Sequence, residues 1–122
     1  RSAVVSASLS EFHQVGARIV ADMLELRGWQ VHFVGAGAPE DALLKTVASV
    51  APDLVALSVS LTSNLERLWP LVDRIRALSP KPRVVVGGQA IAFADPSAFA
   101  AHGCAALKTM DELDDLVRRW PQ

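Results

Sequence analysis

The sequence has one cysteine, no tyrosine and three histidines among 122 residues, and its 12 lysines and arginines are offset by 13 aspartates and glutamates. A single cysteine, Cys104, excludes an internal disulfide framework and a thiolate metal cluster. It fits a reducing, cytoplasmic setting. A formal net charge of -1 leaves no basic surplus, so direct contact with nucleic acid is not expected. Ser, Pro and charged residues interrupt every apolar run well short of the ~20 residues that span a bilayer, so no membrane contact is expected. No secretory pattern precedes the first apolar run and the first residue is Arg, which reads as a domain excised from a longer protein.

What is present is a normal globular balance, 51% apolar and 20% charged, in a length that suits one domain spanning residues 1–122. Short strand-like runs alternate with longer helix-like runs. Strands are predicted over residues 3–9, 29–35, 52–60, 82–88 and 104–108. Helices are predicted over 16–28, 39–50, 65–79, around 96–101, and over 110–120. In the first helix Ile19, Met23 and Leu26 recur at three-to-four spacing, widened by Val20 and Leu24 into one apolar stripe. Asn64 is a candidate cap for the third helix, and Pro70 lies inside that helix or marks its first turn. Strands separated by helices imply a parallel sheet with right-handed crossovers. Five of them in one small domain favour an α/β, flavodoxin-like doubly wound sheet of strand order 2-1-3-4-5.

Ligands of such sheets sit beyond the carboxyl ends of the strands, where the strand order reverses. The loops to examine are therefore 9–16, 35–39, 58–64, 87–91 and 108–109. In the first, Glu11 lies two residues before His13 and Gly16 three after it. An exposed or helix-capping histidine is the simpler reading. Against it, a neighbouring carboxylate can accept a hydrogen bond from one ring N–H and leave the other nitrogen unprotonated, as a metal ligand requires. In the third loop Ser58, Ser60, Thr62, Ser63 and Asn64 form a hydroxyl- and amide-rich patch at the end of a buried strand. A turn and a helix cap account for one or two of them but poorly for Ser58, which is still inside the strand. Gly87 and Gly88, followed by Gln89, end the fourth strand; they make a tight turn or leave a slot for a flat group against bare backbone.

Other candidates fall away. "GAGAPE" (residues 35–40) follows the second strand and carries Glu40 where a dinucleotide loop needs its third glycine. A phosphoacceptor receiver wants acidic residues after the first and third strands, and this chain has small or polar ones. His32 reads as a packed or edge-strand residue and His102 as a solvated loop residue. Trp29, Trp69 and Trp120 read as packing.

Three pieces, Glu11-Phe12-His13-Gln14-Val15-Gly16, Ser58-Val59-Ser60 and Gly87-Gly88, together resemble the cobalamin (vitamin B12)-binding domain family. That family includes methionine synthase, corrinoid methyl carriers, cobalamin-dependent mutases and MerR-type light-responsive regulators. The family pattern is D-x-H-x-x-G, then S-x-L, then G-G. The resemblance implies cobalamin bound base-off, with His13 as lower axial ligand of the cobalt and Glu11 behind it. It implies a nucleotide tail threaded between sheet and helices, with Ser58 bonded to its base and Gly87 and Gly88 giving it room. Asn64 takes the place of a serine that extends the histidine–carboxylate relay in methionine synthase. Two departures stand out: Glu11 replaces the family's Asp, and Ser60 replaces its Leu, leaving the apolar contact to Leu61.

An E-x-H-x-x-G box is similar to that of the light-responsive regulators, which bind adenosylcobalamin below a helical bundle that itself follows a DNA-binding domain. The resemblance thus implies the sensory module of a cobalamin-dependent transcriptional regulator, loaded with adenosylcobalamin or methylcobalamin, rather than a complete enzyme. Its partners would be an upstream bundle and a DNA-binding domain; self-association stays open. The alternatives are a corrinoid carrier domain of a methyltransferase, and a regulatory interaction domain that kept the fold and lost the cofactor.

Overall fold

The computed structural model describes residues 1–7 and 15–121. Five parallel strands, β1 (Ser2–Ser6), β2 (Gln30–Val34), β3 (Leu54–Ser58), β4 (Arg83–Gly87) and β5 (Ala105–Ala106), form one sheet of order β2-β1-β3-β4-β5. This is the predicted doubly wound arrangement. The helices between and after them are α1 (Val15–Leu26), α2 (Glu40–Val50), α3 (Leu65–Arg76), α4 (Pro96–Ala101) and α5 (Met110–Arg118). Short 3-10 turns at Thr62–Asn64 and Gln89–Phe93 lead into α3 and α4.

The alternation of side chains along each strand divides the interior in two. Val4, Val55, Leu57, Val84 and Val86 point to one side, where Leu43, Leu68, Leu71 and Ile75 of α2 and α3 and Phe99 of α4 cover them. Ala3, Val5, Leu54, Ala56 and Val85 point to the other, under Ala17, Ala21 and Leu24 of α1 and Leu113 and Val117 of α5. A sheet covered on both faces explains the continuous apolar runs of β1 and β3. Between α1 and α5, Arg27 grips Asp114 through two bonds of 2.8 and 2.9 Å, and Trp29 meets the edge of Trp120 at 5.1 Å. Both contacts lie toward the amino edge of the sheet.

Several local expectations change. The buried face of α1 is Ala17, Ala21 and Leu24, whereas Ile19 (51% exposed) and Leu26 (88%) face outward. Hydrophobicity alone points to the larger residues, but the small ones let the helix lie close to the sheet. Asn64 occupies the N-cap position of α3 without a side-chain capping bond; it is buried instead. Pro70 sits inside α3, so the Glu66 carbonyl has no N–H to accept there. β5 is two residues rather than five, a short edge strand. His102 is not a solvated loop residue: its ring stacks on Trp69 (centroids 4.9 Å apart) and its Nδ1 lies 2.9 Å from Asp73 Oδ1. The residues around that cluster leave Cys104 half-buried, and burial pushes its thiol above the usual range, against the Arg76 guanidinium, which pulls it down, and with Asp73, which pushes it up.

Leu71 is fully buried where α3 packs on the sheet. Leu71→Ala is expected to cost about 2–5 kcal/mol of unfolding free energy. Urea denaturation checks this: a loss below about 1 kcal/mol would mean that the α3 interface is not tightly packed.

Candidate functional site

The order of the sheet fixes where a ligand can sit. β1 lies between β2 and β3, so the chain leaves β1 toward one side and β3 toward the other, and their carboxyl ends open a crevice. Under that edge, between the sheet and helices α1 and α5, is a cavity of about 190 Å³. Val5, Ala17, Ala56, Val85 and Leu113 form apolar wall, and Ser58, Gly87, Gly88 and Gly16 also line it. Lys108 and Thr109 line it too, both exposed. An apolar void of about 150 Å³ holds a benzene ring. The space therefore suits one flat ring system, not a macrocycle.

The two glycines do different things. Gly87 pairs with Ser58 in the β3–β4 ladder, and a Cβ there would lie 3.5 Å from the Leu107 carbonyl oxygen, an ordinary contact. Its missing side chain leaves room in the cavity. Gly88 has φ +105°, and a Cβ there would overlap the Val59 carbonyl oxygen and come within 2.8 Å of that residue's nitrogen. The ladder continues past β3 in the same place: Val59 donates to the Gly87 carbonyl at 2.9 Å, and Ala90 donates to the Val59 carbonyl at 3.1 Å. Gly88 is thus required by the backbone itself. A valine at 88 would therefore disturb the fold and not merely fill the slot.

The opposite lip is held by the start of α5. Thr109 Oγ1 accepts the Glu112 N–H at 3.1 Å, and Glu112 Oε2 accepts the Lys108 N–H at 3.2 Å. These bonds tie the chain after β5 to the first turn of the helix.

The structure brings Gly16, Ser58, Gly87 and Gly88 together on one cavity, as the sequence reading expects of the sheet edge. Ser60, Leu61, Thr62, Asn64 and Gln89 are not on its wall. Leu61, Thr62 and Gln89 are exposed, and Asn64 is buried at the head of α3. Ser60 is a special case: its Oγ is buried and has no hydrogen-bond partner among the described residues. Glu11 and His13 lie outside the described residues. Among the described residues no group of three His, Cys, Asp or Glu side chains could hold a metal ion. No helix among them is long and apolar enough to cross a membrane. Sequence reasoning missed Ala17, Ala56, Val85 and Leu113. The signal was present in the small residues spaced four apart in α1, Ala17 and Ala21, which mark a helix lying close to the sheet.

A doubly wound parallel sheet with an apolar slot at its switch edge defines a ligand-binding α/β domain of the flavodoxin-like class. A family model, the B12 binding domain, matches residues 1–116. The chain belongs to that family and is a cobalamin-binding domain. It is 37% identical over 87 residues to the HTH-type transcriptional repressor CarA of Myxococcus xanthus, covering 70% of this chain and 30% of that protein. It is 28% identical over 80 residues to a dimethylamine corrinoid protein of Methanosarcina barkeri, covering 64% of this chain and 38% of that one. The chain thus spans about a third of the length of these relatives. In fold it is similar to a cobalamin-binding protein from Desulfitobacterium hafniense, with a TM-score of 0.84 at 23% identity over 99% of this chain and 59% of the other. It is also similar to the Methanosarcina barkeri monomethylamine corrinoid protein, with a TM-score of 0.80 at 19% identity over 94% of this chain and 55% of the other.

The residues present fit part of a corrinoid. The slot is largely apolar and sized for a ring, Gly87 leaves it open, and the hydroxyl-bearing Ser58 and Thr109 line it.

The glycine assignment predicts opposite outcomes for two small substitutions. Gly88→Ala is expected to destabilise the fold by more than about 1 kcal/mol, because its backbone conformation is incompatible with a side chain. Gly87→Ala is expected to change stability by less than about 1 kcal/mol, since only an ordinary contact is added. Thermal denaturation of both variants checks this; equal melting temperatures would refute the division of roles.

Proposed function

We propose that this domain binds cobalamin base-off, with His13 as lower axial ligand, and serves as the sensory module of a cobalamin-dependent transcriptional regulator. The slot beneath the switch edge is the observation that carries the binding mode: it gives a displaced nucleotide base somewhere to go. Imidazole suits a late first-row transition metal. Glu11 accepts a hydrogen bond from the other ring nitrogen's N–H and so fixes the tautomer of His13. Ser58 bonds the base, Gly16 and Gly87 let it approach the backbone, and Gly88 holds the turn beside it. Outside the slot, Ser60, Leu61, Thr62 and Gln89 would meet the corrinoid, with Asn64 buried behind them at the head of α3. The Ser60 hydroxyl, which has no partner among the described residues, is consistent with a ligand that completes it, since a buried hydroxyl ordinarily has a partner.

A bound adenosyl- or methylcobalamin supplies a cobalt centre with an exchangeable, light-sensitive upper ligand. The likeness to a repressor, at higher identity than that to the corrinoid proteins, favours sensing over methyl carriage. On this reading the domain belongs to a longer cytoplasmic protein. An upstream helical bundle covers the upper cobalt face, and a separate domain binds DNA. The second reading, a methyl carrier for a methyltransferase, draws on the dimethylamine corrinoid relatives.

An absorption titration with adenosyl-, methyl- and hydroxocobalamin, in darkness and after illumination, tests both the ligand and the signal. His13→Ala is expected to abolish the spectrum of a histidine-ligated corrinoid. Glu11→Gln is expected to weaken binding by about 10–100-fold, the usual effect of losing the partner of a ligating histidine. Gly87→Val is expected to fill the slot and weaken cobalamin toward the affinity of a corrinoid without a nucleotide tail. A wild-type spectrum from His13→Ala would remove His13 as the ligand. A spectrum that illumination leaves unchanged for adenosylcobalamin would remove light as the signal.

A further inference from the structure

The two outer strands of the sheet are built differently. β5 is two residues long and is followed two residues on by Lys108, features that blunt an edge against pairing. β2 is five residues, Gln30-Val31-His32-Phe33-Val34, with no proline, lysine, aspartate or glutamate. Its inner side is spent on β1: Gln30 donates to the Arg1 carbonyl and the Val34 carbonyl accepts from Ala7, each at 2.9 Å. Main-chain groups alternate along a strand, so those of Val31 and Phe33 point away from β1. Among the described residues no strand pairs with β2 on that side. Helix α1 covers the same end of the sheet. One flank faces α5, where Arg27 grips Asp114. On the flank toward β2, Arg18 lies over the Phe33 ring at 4.8 Å, and Asp22 and Glu25 follow it at helical spacing. All three charged residues are exposed.

We infer that β2 is a pairing edge for a second copy of this chain, joined antiparallel about a two-fold axis that passes by His32, perpendicular to the sheet. Val31 of each copy then faces Phe33 of the other, and each such pair exchanges two main-chain hydrogen bonds. Both side chains lie on the α1 face, because Ala3 and Val5, their register partners in β1, pack there. A β-branched residue opposite an aromatic one is a favourable cross-strand pair. The two sheets become one. That axis also keeps both copies of α1 on the same face. Neighbouring strands lie about 4.8 Å apart and α1 packs over β1 and β2, so the two helices come to lie roughly 10 Å apart, a helix-packing distance. They run antiparallel, and the flanks that meet carry complementary charge: Arg18 of each faces the Asp22–Glu25 end of the other. The strands of the second sheet run the reverse way, so the two switch edges open at opposite ends and neither covers the other. The inference uses no part of the corrinoid reading.

The test is sedimentation equilibrium of the chain, without corrinoid, from micromolar to millimolar concentration; a monomer–dimer equilibrium is expected. Two variants give the α1 flank a single sign. Arg18→Glu makes it acidic, and Asp22→Arg combined with Glu25→Arg makes it basic. Each alone is expected to dimerise at least about tenfold more weakly than the wild type, since each change acts twice across the axis. An equimolar mixture of the two is expected to recover a dimer. Thermal denaturation checks that each variant is folded. Amide hydrogen exchange locates the contact: the Val31 and Phe33 amides are expected to gain protection as the chain dimerises, while that of His32, already turned toward β1, changes little. A wild-type monomer throughout the range overturns the inference. So does a dimer whose Val31 and Phe33 amides stay unprotected, one that forms equally well in both variants, or one that the mixture fails to recover.

Discussion

The site depends on a single constraint, the position of β1 between β2 and β3. Two parallel ladders share that strand, pairing Val4 with His32 on one side and with Val55 on the other. Right-handed crossovers then force α1 onto one face and α2 onto the opposite face. The helices that follow β1 and β3 lie on opposite faces of the sheet, so the strand order reverses between these two strands. Any other strand order would close this crevice or move it. The ligand edge is therefore a consequence of topology, and the side chains decide only what the edge accepts.

The two faces of the sheet are packed to different depths. On the α2–α3 side, leucines, isoleucine and valines fill the interior. On the α1–α5 side, alanines at 3, 7, 17, 21 and 56 leave less bulk between helix and sheet. The helices there are pinned at the amino edge by the Arg27–Asp114 pair and by the two tryptophans. The pair is partly exposed, with side-chain exposures of 40% and 25%, so its Coulombic worth is modest; its use is geometric. The cavity lies between these helices and the sheet, at the switch edge.

Much of this was legible in the sequence. Strand order followed from alternation and chain length, and the carboxyl edge followed from strand order. Ser58 and Gly87 stood out because a hydroxyl at the end of an apolar strand and a paired glycine each lack a simple local explanation. What the sequence could not show were distinctions that need distances. Gly87 and Gly88 look alike in a string of letters, yet one opens a space and the other avoids the Val59 backbone. The outward turn of Ile19 was hidden because hydrophobicity ranks it above Ala17, while close approach to a sheet favours the smaller residue. His102 read as solvated because its partners, Trp69 and Asp73, are distant in sequence and meet it only through the packing of α3 against α4. Asn64 read as a cap because it precedes a helix, yet the 3-10 turn before α3 gives it helical backbone angles and a buried side chain.

The site and the core are not separate structures. Val5, Ala17, Ala56, Val85 and Leu113 belong both to the hydrophobic cluster under α1 and α5 and to the wall of the slot. A ring that enters the slot joins that cluster, adding dispersion contacts to atoms that otherwise face a void. Anything that binds the folded state alone stabilises it in proportion to RT ln(1 + [L]/Kd). Occupancy of the slot and the stability of the α1–α5 layer are therefore one equilibrium seen from two sides.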